Sequence, residues 1–331
     1  MLRNSILVLN QTQIKKIIPL AEIGRVIKRV ERAFVSYGRE EAQMPAKSYL
    51  YFEKYGGDLR IMPSFAPELD MAGTKIVNVH PHNPKIGLPT VMAAIILNDA
   101  KTGLPLAMLD GTYITGMRTG AVGAVAAKYL AKKDAKTLGV IGAGVQSIFQ
   151  IAAICQVRKI KEILVFNIHE KKVEWLSQQL KILKIKIRKA SLPEASGQDI
   201  LVTVTPSRKP VIKRSWVRPG AHINAIGADA QGKEELEPGI LKKAKIIIDD
   251  WTQASHSGEI NVPLSRGIIK QKDIYASLGE IVSGQKAGRV NDKEVTIFDS
   301  TGLAIQDLFT AELVYQMAKK RKIGRPINLF E

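Results

Sequence analysis

Cysteine is almost absent from this 331-residue chain, in which Cys155 is the one thiol. A single cysteine cannot form an internal disulfide, so the class of small disulfide-stapled secreted domains is excluded. Cys155 lies in an apolar stretch with helical spacing, residues 148–157, where a cysteine is more typical of core packing than of a nucleophile. Because a lone thiol fits a reducing compartment and no signal-like leader opens the sequence, we expect a cytoplasmic protein.

Long apolar runs are also lacking. The longest, Val91 to Leu97, is far too short to span a bilayer, so no membrane partner is expected. Hydrophobic residues make up 45% of the chain and charged residues 24%, as in an ordinary globular protein. At 331 residues the chain exceeds what one hydrophobic core usually serves, and this length predicts two domains.

Acidic residues are in the minority, 31 against 49 basic ones, and the formal net charge is +18. A basic surface attracts anions, which include nucleic acid and phosphorylated cofactors. The lysines are spread along the chain, however, without a zinc-ligand set, an RNA-binding aromatic motif or a long basic arm. His80 and His82 lack a third metal ligand at a characteristic spacing. We therefore expect neither a nucleic-acid partner nor a metal site.

Strand-like and helical patterns alternate regularly from Lys136 onward. Thr137–Ile141 and Ile163–Asn167 are short apolar runs typical of strands buried in a parallel sheet, and a stretch with helical spacing follows each. Asp199–Thr205 and His222–Ile226 have the same strand-like character. Such alternation predicts an α/β fold with right-handed crossovers and helices on both faces of a doubly wound sheet.

The chain is therefore expected to contain two domains of different architecture. Residues 121–304 are predicted to form a doubly wound Rossmann domain. Residues 1–120 mix short strands and helices and predict a second, α+β domain. A final helix of about 18 residues, after a last strand, is predicted to return to that N-terminal domain, which then comprises residues 1–120 and 305–331.

A glycine-rich turn, Gly142–Ala143–Gly144–Val145–Gln146–Ser147, joins the first buried strand to its helix. Gly142 permits a tight turn, and Gly144 lets the backbone approach a pyrophosphate, to which the helix offers free N–H groups. Ser147 stands where the dinucleotide-binding pattern has a third glycine, and it is small enough to keep helix and strand close. A strand before the turn and a helix after it predict a dinucleotide site.

The end of the second strand bears on the choice of coenzyme. NAD enzymes generally place an acidic residue there to bind the ribose hydroxyls, but this chain has Asn167. An asparagine can hydrogen-bond a hydroxyl without repelling a 2′-phosphate, and His169, Lys171 and Lys172 lie nearby in sequence. Both NAD(H) and NADP(H) are therefore candidate coenzymes. The lysines can also be interpreted as the start of a solvated helix without a role in binding.

Several segments together resemble the ornithine cyclodeaminase/μ-crystallin family, and most closely its archaeal-type alanine dehydrogenase branch. The resemblance runs in order from about residue 44 to residue 310. The segments that carry it are Gly57–Asp58–Leu59–Arg60–Ile61–Met62–Pro63, Lys75 to Pro84, Gly87 to Asp99, Thr115 to Ala121, Thr205 to Pro210, Asn224 to Asp229 and Phe298 to Asp307.

The resemblance implies a homodimer in which a substrate and dimerisation domain packs on a Rossmann domain. It also implies NAD(P)-linked chemistry at the C–N bond of a small amino or imino acid. Arg60 would bind the substrate carboxylate, Lys75 would donate or accept the proton, and Asp229 would lie beside the reacting nitrogen. Arg118 would bind either cofactor phosphate or substrate carboxylate, and residues 64–70 would form an edge of the pocket.

These residue types suit that chemistry. The planar fork of an arginine binds a carboxylate through two parallel hydrogen bonds. A lysine beside an arginine, in a pocket without water, has its ammonium form disfavoured and can relay protons near neutral pH. We expect the cofactor to contact Arg118, Thr119, Gly142, Gly144, Val145, Gln146, Asn167, His169, Thr205, Gly227, Ala228, Asp229, Lys233 and Ser300.

Three functions follow from the resemblance. The leading hypothesis is an NAD(P)-dependent oxidoreductase, either an alanine dehydrogenase or a reductase of cyclic imines such as pyrroline-2-carboxylate. The second is an ornithine cyclodeaminase with tightly bound NAD that is recycled in each turnover. The third is a μ-crystallin-like binding protein that retains the fold without useful turnover.

Overall fold

The computed structural model describes residues 5–329 of the chain. These residues divide into two compact units: unit 1 comprises residues 5–118 and 303–329, and unit 2 comprises residues 119–302. The expected domain boundaries, 120/121 and 304/305, fall close to these, whereas the roles of the two domains stay predictions. Among the described residues, no helix is both long and apolar enough to cross a membrane.

Helices and strands follow one another along the chain from Ser5 onward. The N-terminal part of the chain contains β1 (Ser5–Leu9), α1 (Gln11–Ile17), α2 (Ile23–Gly38), β2 (Ser48–Phe52), β3 (Gly57–Ala66), β4 (Met71–Val79), β5 (Val91–Asp99), β6 (Pro105–Asp110) and α3 (Gly111–Leu130). Then follow β7 (Thr137–Ile141), α4 (Val145–Val157), β8 (Glu162–Phe166), α5 (Glu170–Gln179), β9 (Lys186–Lys189), α6 (Leu192–Ser196), β10 (Ile200–Thr203) and β11 (His222–Ala225). The rest comprises α7 (Pro238–Leu241), β12 (Lys245–Ile248), α8 (Trp251–Ser257), α9 (Asn261–Ser265), β13 (Ile274–Ser277), α10 (Leu278–Val282), β14 (Thr296–Asp299), α11 (Ala304–Arg321) and β15 (Arg325–Asn328).

Unit 1 is built on a mixed sheet with the strand order β15-β1-β6-β5-β4-β3-β2. The β1 and β6 strands are parallel, and the other neighbours are antiparallel. The sequence pattern from Ile14 to Val35 predicts an amphipathic helix broken by Pro19, and the structure has two helices there, because α1 ends before this proline and α2 begins after it. The Asp110 carboxylate accepts the Tyr113 N–H at 3.0 Å and so caps the start of α3.

The α11 helix is the central element of unit 1. It packs on α2 and on β3, β4 and β5, and almost every residue from Ala304 to Ala318 is buried. A helix that is buried on all sides needs no amphipathic stripe, and α11 has none. The last helix, which the sequence predicts to return to the N-terminal part of the chain, belongs to unit 1.

Unit 2 is built on a sheet in which every pair of neighbouring strands is parallel. Its order, β9-β8-β7-β10-β11-β14-β12-β13, begins with the 3-2-1-4-5 arrangement of a Rossmann domain. The chain reverses direction across the sheet between β7 and β10, which makes the carboxyl ends of these two strands the topological switch point. The expected α/β architecture is confirmed, and ligands bind at such a switch point in open parallel sheets.

The structure differs from the sequence expectations in several elements. The sequence pattern predicts a helix from Glu170 to about Leu183 and a strand from Lys184, but α5 ends at Gln179. Lys184 has a left-handed backbone (φ +54°), and the next strand begins at Lys186. The β6, β13 and β15 strands were not expected. The last of these pairs with β1, with Ile6 opposite Ile327, so its position depends on a strand more than 300 residues away.

Gly139 in β7 provides a test of packing in unit 2. A Cβ atom on this residue would lie 1.8 Å from the carbonyl oxygen of Ala195 in α6, and backbone cannot move aside as a flexible side chain can. Gly139→Ala should therefore lower the free energy of unfolding by about 1–3 kcal/mol in urea denaturation. Gly197→Ala is the matched control, because its Cβ would come no closer than 3.5 Å to another atom. Equal stability of the two variants would contradict this packing.

Candidate functional site

The glycine turn of unit 2 lies at the switch point, between the end of β7 and the start of α4. Gly142 has a φ of +107°, and a Cβ atom there would lie 2.8 Å from the Val204 carbonyl oxygen, so the position requires glycine. A Cβ atom on Gly144 would meet nothing within 4 Å, which leaves open space in front of the helix. The Ser147 hydroxyl donates to the Gly142 carbonyl at 2.8 Å and so ties the turn together.

A cavity of about 660 Å³ opens beside this turn, within unit 2. Its lining brings together the turn, the end of β8 and the loop after β10, and five of the expected cofactor contacts belong to it. These are Gly142, Gly144, Asn167, His169 and Thr205. No carboxylate is among the described residues that line the cavity, and the Lys172 side chain takes part in the lining.

Asn167, at the end of β8, lines the cavity and also makes two hydrogen bonds within unit 2. Its Oδ1 accepts the N–H of Ala143 at 3.1 Å, and its Nδ2 donates to the carbonyl of His169 at 3.0 Å. The side chain thus fastens the end of β8 to the glycine turn. Asn167 thus forms part of the cavity wall at the end of β8, where NAD enzymes generally have an acidic residue.

Two buried polar atoms support the fit of a coenzyme to unit 2. The Gln146 Nε2 atom, in the first turn of α4, and the Ser300 hydroxyl, just after β14, have no hydrogen-bond partner among the described residues. Buried polar atoms normally have partners, so each of these can bind a ligand atom. Val145 lies at the exposed start of α4, whose N-terminus has no side-chain cap. A helix end of this kind suits the pyrophosphate of a dinucleotide.

The other expected contacts in unit 2 do not line the cavity. Asp229 forms an ion pair with Lys233, four residues further on. Ala228 is fully buried, and the carbonyl of Thr119 accepts a hydrogen bond from the Gln150 side chain. The Gly227 N–H donates to a buried carboxylate, that of Glu235.

In unit 1, the β3 and β4 strands bring two of the expected substrate residues to one face of the mixed sheet. Lys75 lies opposite Met62 and Arg60 lies opposite Val77, so Arg60 and Lys75 are diagonal neighbours on the same face. Diagonal pairs lie about 7–8 Å apart, within reach of each other's long side chains. Both side chains are buried, with 7% of Arg60 and 2% of Lys75 exposed.

Asp307 joins Lys75 to Arg118. Its Oδ2 lies 2.6 Å from the Lys75 Nζ, and its Oδ1 accepts from the Arg118 Nε at 3.0 Å. The Arg118 Nη1 also donates to the Gln306 side chain at 3.0 Å. Asp307 is in the first turn of α11, where the positive end of the helix dipole favours a carboxylate. We call Arg60, Lys75, Arg118 and Asp307 the basic cluster.

The environment of Lys75 lowers its pKa from 10.5 to about 7. Burial is the main cause, because removal of water disfavours the ammonium form, and the positive charge of Arg118 acts in the same direction. The Asp307 carboxylate opposes both, and Lys47 adds a smaller lowering. Lys75 can therefore exchange a proton near neutral pH.

Arg60 has a carboxylate partner of its own. Its Nε and Nη2 donate to the two oxygens of Asp58 at 2.8 and 3.0 Å, and its guanidinium lies 5.6 Å from the centre of the Tyr49 ring. The basic cluster and Asp58 together contain three basic and two acidic side chains. A substrate carboxylate would offset the excess positive charge when Lys75 is protonated.

One side of the basic cluster is apolar. The buried side chains of Met62 and Val77 pack against Ala304 at the start of α11, next to Lys75 and Arg60 on the same sheet face. Partly buried apolar side chains complete this group, namely Met44, Val91 and Ala93. We call this group of side chains the apolar wall.

The segment of residues 64–70, expected to form a pocket edge, includes the end of β3 and a hairpin turn, and its role stays a prediction. Strand β3 continues to Ala66, which pairs with Met71, and residues 67–70 form the hairpin turn. The turn thus lies four residue pairs beyond Lys75, or more than about 10 Å along the strand.

Asp307 and Gln306 were missed as functional candidates, although both lie within a segment that carries the family resemblance. Their position in the sequence gives no sign of contact with Lys75, because the two regions are more than 200 residues apart. The available signal was a carboxylate in the first turn of the final helix. Among the described residues, no group of three or more His, Cys, Asp or Glu side chains could hold a metal ion.

The strand order and the glycine turn define a Rossmann-type α/β protein. A sequence profile of the ornithine cyclodeaminase/mu-crystallin family matches residues 7–322. The chain is 49% identical over 324 residues to the alanine dehydrogenase of Archaeoglobus fulgidus, and the alignment covers 98% of each chain. The chain belongs to the ornithine cyclodeaminase/mu-crystallin family.

Two solved structures resemble the chain along its length. An archaeal alanine dehydrogenase dimer with bound NAD has a TM-score of 0.94 and 48% identity, covering 98% of this chain and 100% of that one. The Δ1-pyrroline-2-carboxylate reductase of Thermococcus litoralis, in complex with NADH and L-proline, has a TM-score of 0.94 and 40% identity. That alignment covers 97% of this chain and 100% of the reductase.

The pKa of Lys75 can be tested with two substitutions of opposite sign. Asp307→Asn should lower it further, because the variant loses the negative charge that favours the ammonium form. Arg118→Met should raise it, because a neighbouring positive charge is removed. NMR titration of isotope-labelled lysine side chains measures both shifts, with the exposed Lys101 as internal reference. Shifts of the same sign in both variants would contradict the arrangement.

Proposed function

We propose that the chain is an NAD(P)-dependent oxidoreductase that acts on the C–N bond of a small amino or imino acid. The observation that carries the proposal is Lys75, a buried lysine with a pKa of about 7 beside two arginines. The relatives named above support it, since they are an alanine dehydrogenase and a reductase of a cyclic imine. In this proposal unit 1 binds the substrate and unit 2 binds the coenzyme.

The proposed role of Lys75 is to carry a proton at the substrate nitrogen. Oxidation of an amino acid to an imine removes a hydrogen with two electrons from Cα and a proton from the nitrogen. The neutral amine of Lys75 would accept that proton, and its ammonium form would return it during imine reduction. The nicotinamide coenzyme, when bound, accepts or supplies the hydride.

Arg60 and Arg118 are proposed to hold the substrate carboxylate, and Asp307 keeps the Lys75 Nζ in place. A buried guanidinium binds a carboxylate strongly because both groups have lost competing water. The roles proposed for Asp229 and for the cofactor contacts of unit 2 rest on the family resemblance, on the glycine turn and on the orphaned polar atoms at Gln146 and Ser300.

The apolar wall favours a small uncharged substrate side chain. It would accommodate the methyl group of alanine or the ring methylenes of a cyclic imine, whereas a second ammonium group would lose its hydration there without a partner. We therefore favour alanine dehydrogenase or pyrroline-2-carboxylate reductase activity over ornithine cyclisation. Because the cavity lining contains no carboxylate among the described residues, the proposal includes both NAD(H) and NADP(H).

The proposal is tested by assays of the whole chain with three substrate sets: pyruvate plus ammonia, pyrroline-2-carboxylate, and ornithine. We expect loss of NADH or NADPH absorbance with the first or the second set. The rate of amino-acid oxidation should rise with pH through about 7, because the neutral form of Lys75 is the base, and imine reduction should fall over the same range. Formation of proline and ammonia from ornithine without net coenzyme change would contradict the proposal.

Lys75→Met separates catalysis from coenzyme binding. Loss of the proton carrier should lower kcat by about 10²-fold or more, whereas the dissociation constant of NADH should stay near the wild-type value. Lys101→Met is the matched control, because Lys101 forms an exposed ion pair with Asp70 on the hairpin turn. Equal loss of turnover and NADH affinity would mean that Lys75 is structural.

We also infer a homodimer formed through unit 1. On the face of the mixed sheet opposite to Lys75, apolar side chains are exposed on β2, β3, β6 and β15, and exposed apolar groups on one sheet face suit an interface. They are Leu50, Ile61, Met108 and Ile327. The archaeal alanine dehydrogenase structure is a dimer, which supports the inference.

Light scattering tests this assembly. The double substitution Ile61→Glu and Met108→Glu should convert the dimer to a monomer, because two charges would have to be buried without partners in each interface half. Ile182→Glu is the control, since Ile182 is equally apolar and 63% exposed but belongs to unit 2. A wild-type monomer would contradict the inference, and so would an unchanged dimer in the double variant.

A further inference from the structure

The Glu235 side chain joins the ends of two neighbouring strands in unit 2. Its Oε1 accepts the N–H and the hydroxyl of Thr205, each at 2.7 Å. Its Oε2 accepts the hydroxyl of Thr203 at 2.7 Å and the N–H of Gly227 at 2.9 Å. With four donors on two oxygens, the carboxylate has every acceptor position filled.

These four donors are on the segments that leave β10 and β11. Thr203 is the last residue of β10, and Gly227 is the second residue after β11. The two segments approach so closely that a Cβ atom on Gly227 would lie 2.3 Å from the Thr205 carbonyl oxygen and 2.6 Å from the Glu235 Oε2. A side chain at residue 227 would therefore collide with the Glu235 carboxylate in its present position.

The backbone of Glu235 is itself held on both sides. Its N–H donates to the Glu259 carboxylate at 3.0 Å, and its carbonyl oxygen accepts the N–H groups of Val211 at 2.7 Å and Ile212 at 3.0 Å. The Leu236 N–H donates to the same Glu259 carboxylate at 2.7 Å. Because its backbone is held in this way, Glu235 is a fixed point from which its carboxylate binds the two loops.

We propose that Glu235 is a positioning residue for the coenzyme, which sets the conformation of the Thr205 and Gly227 loops that contact it. The inference rests on the proposed function, since these loops include expected coenzyme contacts, and Thr205 lines the cavity beside the glycine turn. Glu235 acts through the loops that it holds. Loss of its hydrogen bonds weakens coenzyme binding by freeing two backbone segments that the bound coenzyme needs in one conformation.

The ionised form of Glu235 fits this role best. A backbone N–H can only donate, and one such donor lies on each carboxylate oxygen, so an amide nitrogen in place of either oxygen faces a second donor. Burial raises the pKa of Glu235, and the hydroxyl and amide donors counteract that rise. Glutamine in place of Glu235 has the same shape but places two donors against each other, either at Thr205 or at Gly227.

Glu234 provides the matched control. It is the adjacent residue, it is also a glutamate, and its side chain has only 1% exposure. Burial raises its pKa as well, but its carboxylate lies 3.7 Å from Arg266 and forms none of the hydrogen bonds to the two loops. A general effect of a neutral side chain at a buried glutamate position would therefore appear in both variants.

The experiment compares the wild-type chain, Glu235→Gln and Glu234→Gln by calorimetric titration with NADH, with the Tm of each protein recorded alone. We expect the NADH dissociation constant of Glu235→Gln to rise by about tenfold or more, as for a buried hydrogen-bonding group left unsatisfied. That of Glu234→Gln should stay within about twofold of the wild type. If Glu235→Gln has a lower Tm but the wild-type NADH affinity, Glu235 is structural only and the proposal is overturned.

A milder pair of variants covers the case in which Glu235→Gln does not fold. Thr203→Val removes one hydroxyl donor at nearly constant volume, and Thr203→Ser retains it. Thr203→Val should raise the NADH dissociation constant several-fold, whereas that of Thr203→Ser should stay near the wild-type value. Equal NADH affinities in these two variants would overturn the proposal.

Hydrogen exchange separates this inference from the proposed function. Without coenzyme, the Thr205 and Gly227 amides should exchange faster in Glu235→Gln than in the wild type, and Glu234→Gln should leave them unchanged. If the amides exchange faster in Glu235→Gln but the wild-type chain does not bind NADH, Glu235 holds the loops and the proposed function has failed. The coenzyme role of Glu235 would then be overturned as well. Unchanged exchange together with wild-type NADH affinity would overturn the positioning role while the proposed function stands.

Discussion

The ion pair between Lys75 and Asp307 is the interaction on which unit 1 depends. The Lys75 side chain is 2% exposed, so its ammonium form has lost its hydration, and the Asp307 carboxylate in direct contact stabilises that form. The carboxylate comes from the first turn of α11, so the helix has to lie against β4 with its N-terminal end at Lys75. The contact between Lys75 and Asp307 thus accompanies the packing of α11 on β3, β4 and β5 and sets which end of the helix lies at Lys75.

The two units use charge in different ways. In unit 1, basic groups outnumber acidic ones around Lys75, which suits an anionic substrate. In unit 2, buried carboxylates act as hydrogen-bond acceptors for backbone N–H groups: Glu235 and Glu259 bind loops after β10 and β11, and Asp249 binds the Thr301 and Gly302 N–H groups at 2.6 and 2.8 Å. These carboxylates give irregular loops at the carboxyl edge of the sheet a single conformation.

The sequence was most informative where structure is local. The glycine turn, the buried β7 strand and the start of α4 adjoin one another in the chain, and their pattern predicted both the fold and the dinucleotide site. The diagonal arrangement of Arg60 and Lys75 depends on the register of β3 and β4, which a periodic pattern does not fix. Arg60 and Lys75 were therefore identified as candidate site residues through the family resemblance and not through the sequence pattern.

Long-range contacts could not be predicted from sequence patterns. Nothing near Asp307 indicates that it lies against Lys75, and nothing in Glu235 distinguishes it from Glu234 beside it, although one binds two loops and the other does not. The β15 strand was missed for the same reason, since a short segment with a proline becomes a strand only through pairing with β1. The roles of such residues depend on contacts with parts of the chain that are distant in sequence.

The discontinuity of unit 1 has a consequence for how the chain is made. Residues 303–329 supply its central helix and an edge strand, yet the ribosome produces them after all of unit 2. Until they emerge, the β3–β5 face lacks the helix that covers it, and Lys75 lacks its counter-ion. During synthesis, unit 2 can fold as an intact body before residues 303–329 are made, and in that interval unit 1 exposes an uncovered apolar surface that is prone to aggregation.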